Sequence, residues 1–440
     1  MEFKKTLDTL RSRSNLRKIL NNITWLTFDK AFHLIIGLLV GIWFARYLGP
    51  EKYGTFNYAL SIIALFNVFT TLGLNNIVIR EIVKKPDSKH TYLGTAFAMM
   101  FCGGIFAYFA SLVAISIIEP DNNLVNWLVA IMGFQLIMNS MKVIEVWFQS
   151  QVLSKNTVFA KSVSLLLVSI IKVYLIVVNA PLLSFAYLTA AGSLLTALFL
   201  FITYKYNGQS VRKWNIDFSV GKKLLSDSWP LIFAGLSVSV YMKIDQVMVG
   251  NMLGEYALGN YSVAVKLTDI WYFIPTVIVA SVYPSIIRYK ETSKEIYMKR
   301  LQQLYYLMTW SAIAIALLIT FFASFIINLL FGIQYSEASN VVIYHVWSAV
   351  PVFLGVAVGS FMAAENLTRI SMYMNILGAI VNVICNLLLI PIFGLIGASI
   401  ATLISYCFAT FFRFFIPETK QQAIMMFRSF LPWKFMQYRR

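Results

Sequence analysis

The sequence predicts an all-α polytopic membrane protein, with about 12 transmembrane helices in two six-helix lobes related by a parallel pseudo-two-fold repeat. Three observations predict it. Hydrophobic residues fill 59% of the 440 positions and charged residues only 12%, whereas soluble domains carry about 25% charged residues. The apolar residues are gathered into runs of about twenty or more, the length that crosses a bilayer as a helix. Lysine and arginine recur on alternate sides of these runs. The runs are too long and continuous for barrel strands, so helices must satisfy the backbone in lipid.

Taken in order, the first six spans occupy 19–46, 55–80, 91–118, 124–149, 156–178 and 182–204. The second six occupy 224–250, 258–287, 303–330, 340–364, 369–392 and 395–416, with a very short turn at Phe393–Gly394 dividing the last two. The flanking segments are a basic cytoplasmic tail at 1–18, a cytoplasmic linker at 205–223 and a second basic tail at 418–440. The N-terminus lacks a short apolar core with a small-residue cleavage site, so the first span is expected to direct its own insertion.

Charge placement orients the chain. Lys4, Lys5, Arg11, Arg13, Arg17 and Lys18 precede the first span, and Lys84, Lys85 and Lys89 follow the second. Lys205, Arg212, Lys213, Lys222 and Lys223 fill the central linker, while Arg288, Lys290, Lys294, Lys299 and Arg300 follow the eighth span. The opposite loops hold only Arg46 and Lys52, with Glu119, Asp121, Glu255 and Glu337. Both termini are therefore expected in the cytoplasm. The net charge of +17 is explained by these loops and not by nucleic-acid binding. A faint internal repeat supports two lobes of one orientation. LGPEKYGTFNYA (48–59) resembles LGEYALGNYSVA (253–264), and the spacing of Gly49 and Gly54 recurs at Gly254 and Gly259.

Several functional classes are excluded by what the chain lacks. No G-x-x-x-x-G-K-[ST] phosphate loop is present, so the chain does not hydrolyse ATP by that route. Cys102, Cys385 and Cys407 fall inside apolar runs and read as small packing residues. There is no metal constellation, no catalytic nucleophile with its base, and no cofactor motif.

Charged groups inside spans are costly and mark cavities or partners. Lys30, Lys142, Lys161, Lys172, Lys243 and Lys266 lie within spans, against Asp29, Glu145, Asp245 and Asp269. Lys142 with Glu145, and Lys266 with Asp269, are i,i+3 neighbours suited to mutual neutralisation. Lys161 and Lys172 have no acid on their own helix and share one face. Lys161 lies near enough to the helix end to snorkel. Lys30 sits beside Asp29 and one turn before His33. Surplus lysines in a wet cavity suit a phosphate or pyrophosphate head group. His33 and His345 are the intramembrane histidines, each either a proton carrier or a hydrogen-bonded structural residue. Gln135, Asn139, Asn375, Asn382 and Asn386 could contact sugar or serve as interhelical glue.

Four stretches carry a family resemblance over essentially the whole chain. They are RYLGPEKYGTFNYA (46–59), WFQSQ (147–151), PLIFAGLSVSVYMKIDQVMVGNMLGEYALGNYSVAVKL (230–267) and NILGAIVNVICNLLLIPIFGLIGASIATLIS (375–405). In these the chain resembles the polysaccharide-biosynthesis oligosaccharide flippases (Wzx-type) of the multidrug/oligosaccharidyl-lipid/polysaccharide exporter superfamily. The resemblance implies two six-helix bundles and alternating access in a bacterial inner membrane. Its implied cargo is a polyprenyl (undecaprenyl) pyrophosphate-linked oligosaccharide, moved to the outer leaflet for O-antigen or other surface polysaccharide. Such flippases carry basic residues in the cavity, and Lys30, Lys161 and Lys172 are the positions here that could fill that role. Asp245 matches the motif at its I-D step. Asp29, Glu145, Lys243, Lys266, Asp269 and His33 are the remaining candidates for coupling to H+ or Na+ or for gating. A polysaccharide polymerase is the implied protein partner. The alternatives are a multidrug exporter of the same superfamily, a membrane glycan polymerase or ligase, and a flippase for the peptidoglycan lipid precursor.

Overall fold

The computed structural model describes the backbone of residues 2–290 and 293–431, and the side chains of 24, 25, 27–283, 285–290 and 293–431. The side chains of the basic tail at 1–18, and Lys434, Arg439 and Arg440, lie outside the described residues. No strand occurs among them.

Sixteen α-helices follow in order: α1 (Glu2–Phe66), α2 (Val68–Thr71), α3 (Leu74–Lys84), α4 (Lys89–Ile118), α5 (Asn123–Met138), α6 (Val143–Ser150), α7 (Ser154–Val177) and α8 (Leu182–Tyr206), then α9 (Phe218–Leu253), α10 (Glu255–Asp269), α11 (Phe273–Ile287), α12 (Lys294–Leu330), α13 (Ser336–His345), α14 (Ala349–Ala364), α15 (Thr368–Phe411) and α16 (Pro417–Arg428). Among the described residues, 10 helical stretches are long and apolar enough to cross a membrane. Two of them are double. α1 breaks at Gly49 (φ 73) and α15 at Gly394 (φ 56), both in the left-handed region that favours glycine. Dividing at these breaks recovers the twelve expected spans. Pro50 then restarts the helix at the position where a missing N–H costs nothing. Large side chains such as Ile117 (73% exposed) and Phe321 (83% exposed) point outward from long helices, as lipid contact requires and water would penalise.

The chain divides into two compact units. The first comprises Met1–Tyr47 with Ile62–Gly235, and the second Leu48–Ser61 with Leu236–Arg440. The linker therefore does not separate the units as an open tether. It is fastened to the first. The Asn215 backbone N–H donates to His90 O, that of Asp217 donates to the Thr95 hydroxyl, and the Trp214 indole donates to the Tyr204 hydroxyl. The Asp217 carboxylate accepts from the backbone N–H groups of Ser219 and Val220, which caps α9. The core of this unit gathers Leu74, Val78, Leu93, Val143, Phe148 and Tyr204.

In the second unit the repeated segments meet. Gly49 (φ 73, ψ 171) and Gly254 (φ 86, ψ 176) share one backbone conformation. The partner glycines are reciprocal: a Cβ on Gly54 would lie 1.8 Å from Glu255 O, and one on Gly259 would lie 1.9 Å from Pro50 O. The Thr55 hydroxyl donates to Glu255 Oε2 at 2.5 Å, and the Ser61 hydroxyl to Gln246 Oε1 at 2.6 Å. The repeat is thus a crossing of two backbones, which only glycine permits at such a distance.

The segment expected as a tail beyond 418 is in part a docked helix. α16 buries Gln422, Met425 and Met426. Gln302 on α12 donates to Met425 O at 2.9 Å, and the Tyr305 hydroxyl donates to the Gln422 side chain at 2.7 Å. Its apolar face outweighs its surface charge. The core of this unit includes Leu301, Tyr305, Met308, Phe353, Leu354 and Met362.

Candidate functional site

Two clusters of polar and charged residues lie within spans, one in each unit. In the first unit α1 supplies Asp29 and His33 one turn apart, α6 supplies Glu145, and α7 supplies Lys161. Lys161 Nζ lies 3.2 Å from Asp29 Oδ2 and 3.5 Å from Glu145 Oε2. The ammonium is thereby held between two carboxylates from different helices. His33 Nδ1 lies 3.0 Å from Asp29 O and 3.1 Å from Asp29 Oδ1. Side-chain exposure is 29% for Lys161, against 12% for Asp29 and 15% for Glu145, so the lysine remains reachable while its acids are largely enclosed.

This arrangement differs from the pairing suggested by spacing. Glu145 faces Lys161 across the bundle, and among the described residues no ion pair joins it to Lys142. A turn of 3-10 helix at Asn139–Lys142 precedes α6, and the Glu145 carboxylate is taken by Lys161 from α7. Lys161 does not extend alone to the interface. It bridges. The Lys172 ammonium sits 4.8 Å from the Phe44 ring centroid, a cation–π contact. Lys30 is exposed, without a described carboxylate at pairing distance.

In the second unit Asp245 on α9 is 5% exposed. Its Oδ2 accepts from the Thr402 hydroxyl at 2.6 Å and from the Tyr261 hydroxyl at 3.1 Å. Its Oδ1 is buried and has no hydrogen-bond partner among the described residues. One turn along α15 from Thr402, the Ser405 hydroxyl accepts from Asn382 at 3.3 Å, and Asn386 donates to Asn382 Oδ1 at 3.2 Å. Asn386 Oδ1 and Asn260 Oδ1 are likewise buried without a partner among the described residues. Lys243 and Asp269 lie within Coulombic reach of Asp245. Among the described residues no ion pair joins Lys266 to Asp269. His345 is buried and bonds the Thr268 hydroxyl at 2.8 Å, the arrangement of a structural histidine. Asn382 and Asn386 act at least as glue within α15.

Tyr261 and Thr402 were not among the residues singled out by sequence. Tyr261 lies inside the quoted repeat, which could have flagged it. Thr402 lies inside the quoted 375–405 stretch, which could have flagged it in the same way. A third network also escaped notice. Glu81 on α3, 4% exposed, is held by Arg80 at 2.9 Å, Lys223 at 3.2 Å and the Tyr92 hydroxyl at 3.3 Å.

Comparison with known proteins agrees with this architecture. Residues 19–290 match the family model described as "Polysaccharide biosynthesis protein", and residues 230–388 match the MatE model. The capsular polysaccharide biosynthesis protein CapF of Staphylococcus aureus is 21% identical over 369 residues, covering 81% of this chain and 88% of that protein. An inward-facing multidrug resistance transporter of the MATE family superposes with a TM-score of 0.72 at 15% identity, covering 92% of this chain and 99% of that one. The lipid II flippase MurJ, in an inward closed conformation, superposes with a TM-score of 0.68 at 15% identity, covering 93% and 91%. These structural likenesses establish a shared fold.

Proposed function

This chain belongs to the polysaccharide biosynthesis protein family, and from that premise we propose that it is a flippase for polyprenyl pyrophosphate-linked oligosaccharide. It carries repeat units from the inner to the outer leaflet of a bacterial inner membrane, with both termini cytoplasmic, for O-antigen or another surface polysaccharide. Such a cargo cannot cross hydrocarbon unaided, because its charges and hydroxyls would lose hydration without replacement. A relative named for capsular polysaccharide biosynthesis supports the cargo class.

The observation that carries the mechanism is Lys161 between Asp29 and Glu145. A pyrophosphate arriving at this point competes with the two carboxylates for one ammonium. Protonating Asp29 or Glu145 weakens their hold and hands Lys161 to the cargo; His33, beside Asp29, is placed to relay that proton. Lys30 and Lys172 add positive charge on the same unit. No covalent step is required, and the chain acts as a transporter, not an enzyme. Alternating access then moves the captured head group, while the prenyl tail stays in lipid.

The driving ion, H+ or Na+, is assigned to the Asp245 cluster. A buried carboxylate with one oxygen unpartnered, flanked by Thr402 and Tyr261 hydroxyls, supports binding of a small cation. Lys243, Lys266 and Asp269 would set its field. A polysaccharide polymerase receives the flipped unit.

Complementation of a flippase-deficient strain tests the reading. Lys161→Ala abolishes surface glycan at normal protein level, and Lys161→Arg retains part of it. Wild-type glycan from stably expressed Lys161→Ala and Lys30→Ala/Lys172→Ala variants would overturn the capture mechanism. A second reading, a multidrug exporter, is favoured by the MatE match at 230–388. Loss of drug resistance on deletion, with glycan intact, would select it instead.

A further inference from the structure

A cavity of about 640 Å³ opens in the second unit between α11 and α12. Its volume falls in the range of sites that enclose small ligands, about 300–1,000 Å³. Its lining is layered along the helices. Arg288 and Arg300 stand at one end, Ser285 and Gln303 form the next level, and Val282, Leu304 and Leu307 line the other end.

The two arginines are available to a ligand. Among the described residues no carboxylate pairs with either. Among the described residues Arg300 donates to Gln303 Oε1, at 3.2 Å. The nearby Glu365 is already occupied by Lys290 at 3.1 Å and by the Tyr297 hydroxyl at 3.3 Å. Two guanidiniums beside one opening form a recognition pattern for phosphate, since their donor forks match its oxygens.

The layering decides what kind of phosphate. From Arg300 to Leu307 is seven residues, about 10 Å along a helix. The interfacial layer on each side of a bilayer is about 5–8 Å thick. A ligand anchored at the arginines therefore reaches hydrocarbon at Leu307 and Val282. A free anion has no use for that apolar end. A phospholipid does: its phosphate meets Arg288 and Arg300, its glycerol esters meet Ser285 and Gln303, and an acyl chain lies along Leu304 and Leu307. Basic pockets between membrane helices take anionic head groups in this way.

We propose that the α11–α12 cavity is a binding site for an anionic phospholipid of the leaflet it faces, separate from the cargo-capturing cluster of the first unit. The inference rests on the chain being embedded in a membrane, and not on which cargo it moves.

Native mass spectrometry of the purified full chain tests it, with phosphatidylglycerol and phosphatidylcholine of identical chains as probes. Wild type retains phosphatidylglycerol about tenfold better than phosphatidylcholine, and Arg288→Gln/Arg300→Gln removes that preference. Leu307→Trp, which fills the apolar end and leaves both charges, also lowers phosphatidylglycerol retention. It carries the test if the double arginine variant does not fold. Equal retention of the two lipids by wild type would overturn the proposal. So would unchanged preference in both variants, each shown folded by its elution and melting temperature. Displacement of phosphatidylglycerol by millimolar inorganic phosphate would make this a free-anion site. Displacement by equimolar polyprenyl phosphate would make it part of the cargo path. Either result refutes the phospholipid assignment. No transport is measured, so failure of the flippase reading would leave this outcome interpretable.

Discussion

Gly259→Ala is expected to destabilise the second unit strongly, although it adds a single methyl group. The new Cβ would lie 1.9 Å from Pro50 O, 2.6 Å from Pro50 C and 2.9 Å from its Cα. Ordinary carbon–oxygen contact needs more than 3 Å, so the two backbones must part by about 1 Å. Overpacking usually costs about 1–3 kcal/mol. The obstructing atoms here belong to the main chain and cannot rotate aside, so about 3 kcal/mol is expected. At about 2–4 °C per kcal/mol for a domain of this size, the melting temperature falls by roughly 6–12 °C. Gly359→Ala in α14 is the control, because a Cβ there meets nothing within 4 Å. Removing a helix glycine at an open site stabilises by about 0.5–1 kcal/mol. The Gly54→Ala/Gly259→Ala double variant should lose less than the sum of the single losses, because one separation accommodates both methyls. Thermal unfolding of purified protein in detergent, followed by intrinsic fluorescence, measures all four. A Gly259→Ala protein melting within a degree of wild type, or a control that melts equally early, would refute the reciprocal crossing.

Other expectations follow from the charged networks. Thr402→Val keeps the shape but takes the 2.6 Å hydrogen bond from Asp245. It should cost about 1–3 kcal/mol and blunt the dependence of transport on the driving ion, read as ion-gradient response in proteoliposomes. Lys161→Met leaves Asp29 and Glu145 facing each other without a cation. With the lysine side chain 29% exposed, the loss is about 1–3 kcal/mol, between the surface and buried limits. Adding Asp29→Asn and Glu145→Gln should restore melting but not glycan export, which separates folding from capture. Glu81→Gln should cost about 2–4 kcal/mol, because it weakens a buried acceptor of three donors. Asp227→Asn, which removes a more exposed partner of Arg80, should cost under about 1 kcal/mol in the same melt.

The spans were legible because lipid forces each helix to declare itself as a long apolar run. The breaks at Gly49 and Gly394 were legible because glycine there sits between two such runs. The crossing of Gly54 with Gly259 was half legible. The repeated spacing announced a relationship, but only coordinates show that each glycine clears space for the other's backbone. The site was less readable. Asp29 and Lys161 are 132 positions apart, and Asp245 and Thr402 are 157 apart. Neither separation leaves a periodic trace in one sequence. The i,i+3 spacing of Lys142 and Glu145 pointed to a local pair, but a lysine from α7 takes the Glu145 carboxylate. The unit boundary within α9, at Gly235, was invisible because hydropathy runs through it without change.

The fastening of residues 214–217 onto α4 and α8 bears on how the gene could be divided. A break after Gly208, whose Cβ position is open, would leave Trp214, Asn215 and Asp217 on the downstream fragment. That fragment would then carry its own plug for the Tyr204–His90–Thr95 surface of the upstream one. Two co-expressed pieces cut there should reassemble without a covalent joint. Pieces cut after Asp217 would leave the plug upstream and rely on the Lys223–Glu81 and Asp227–Arg80 pairs, so they should reassemble less well.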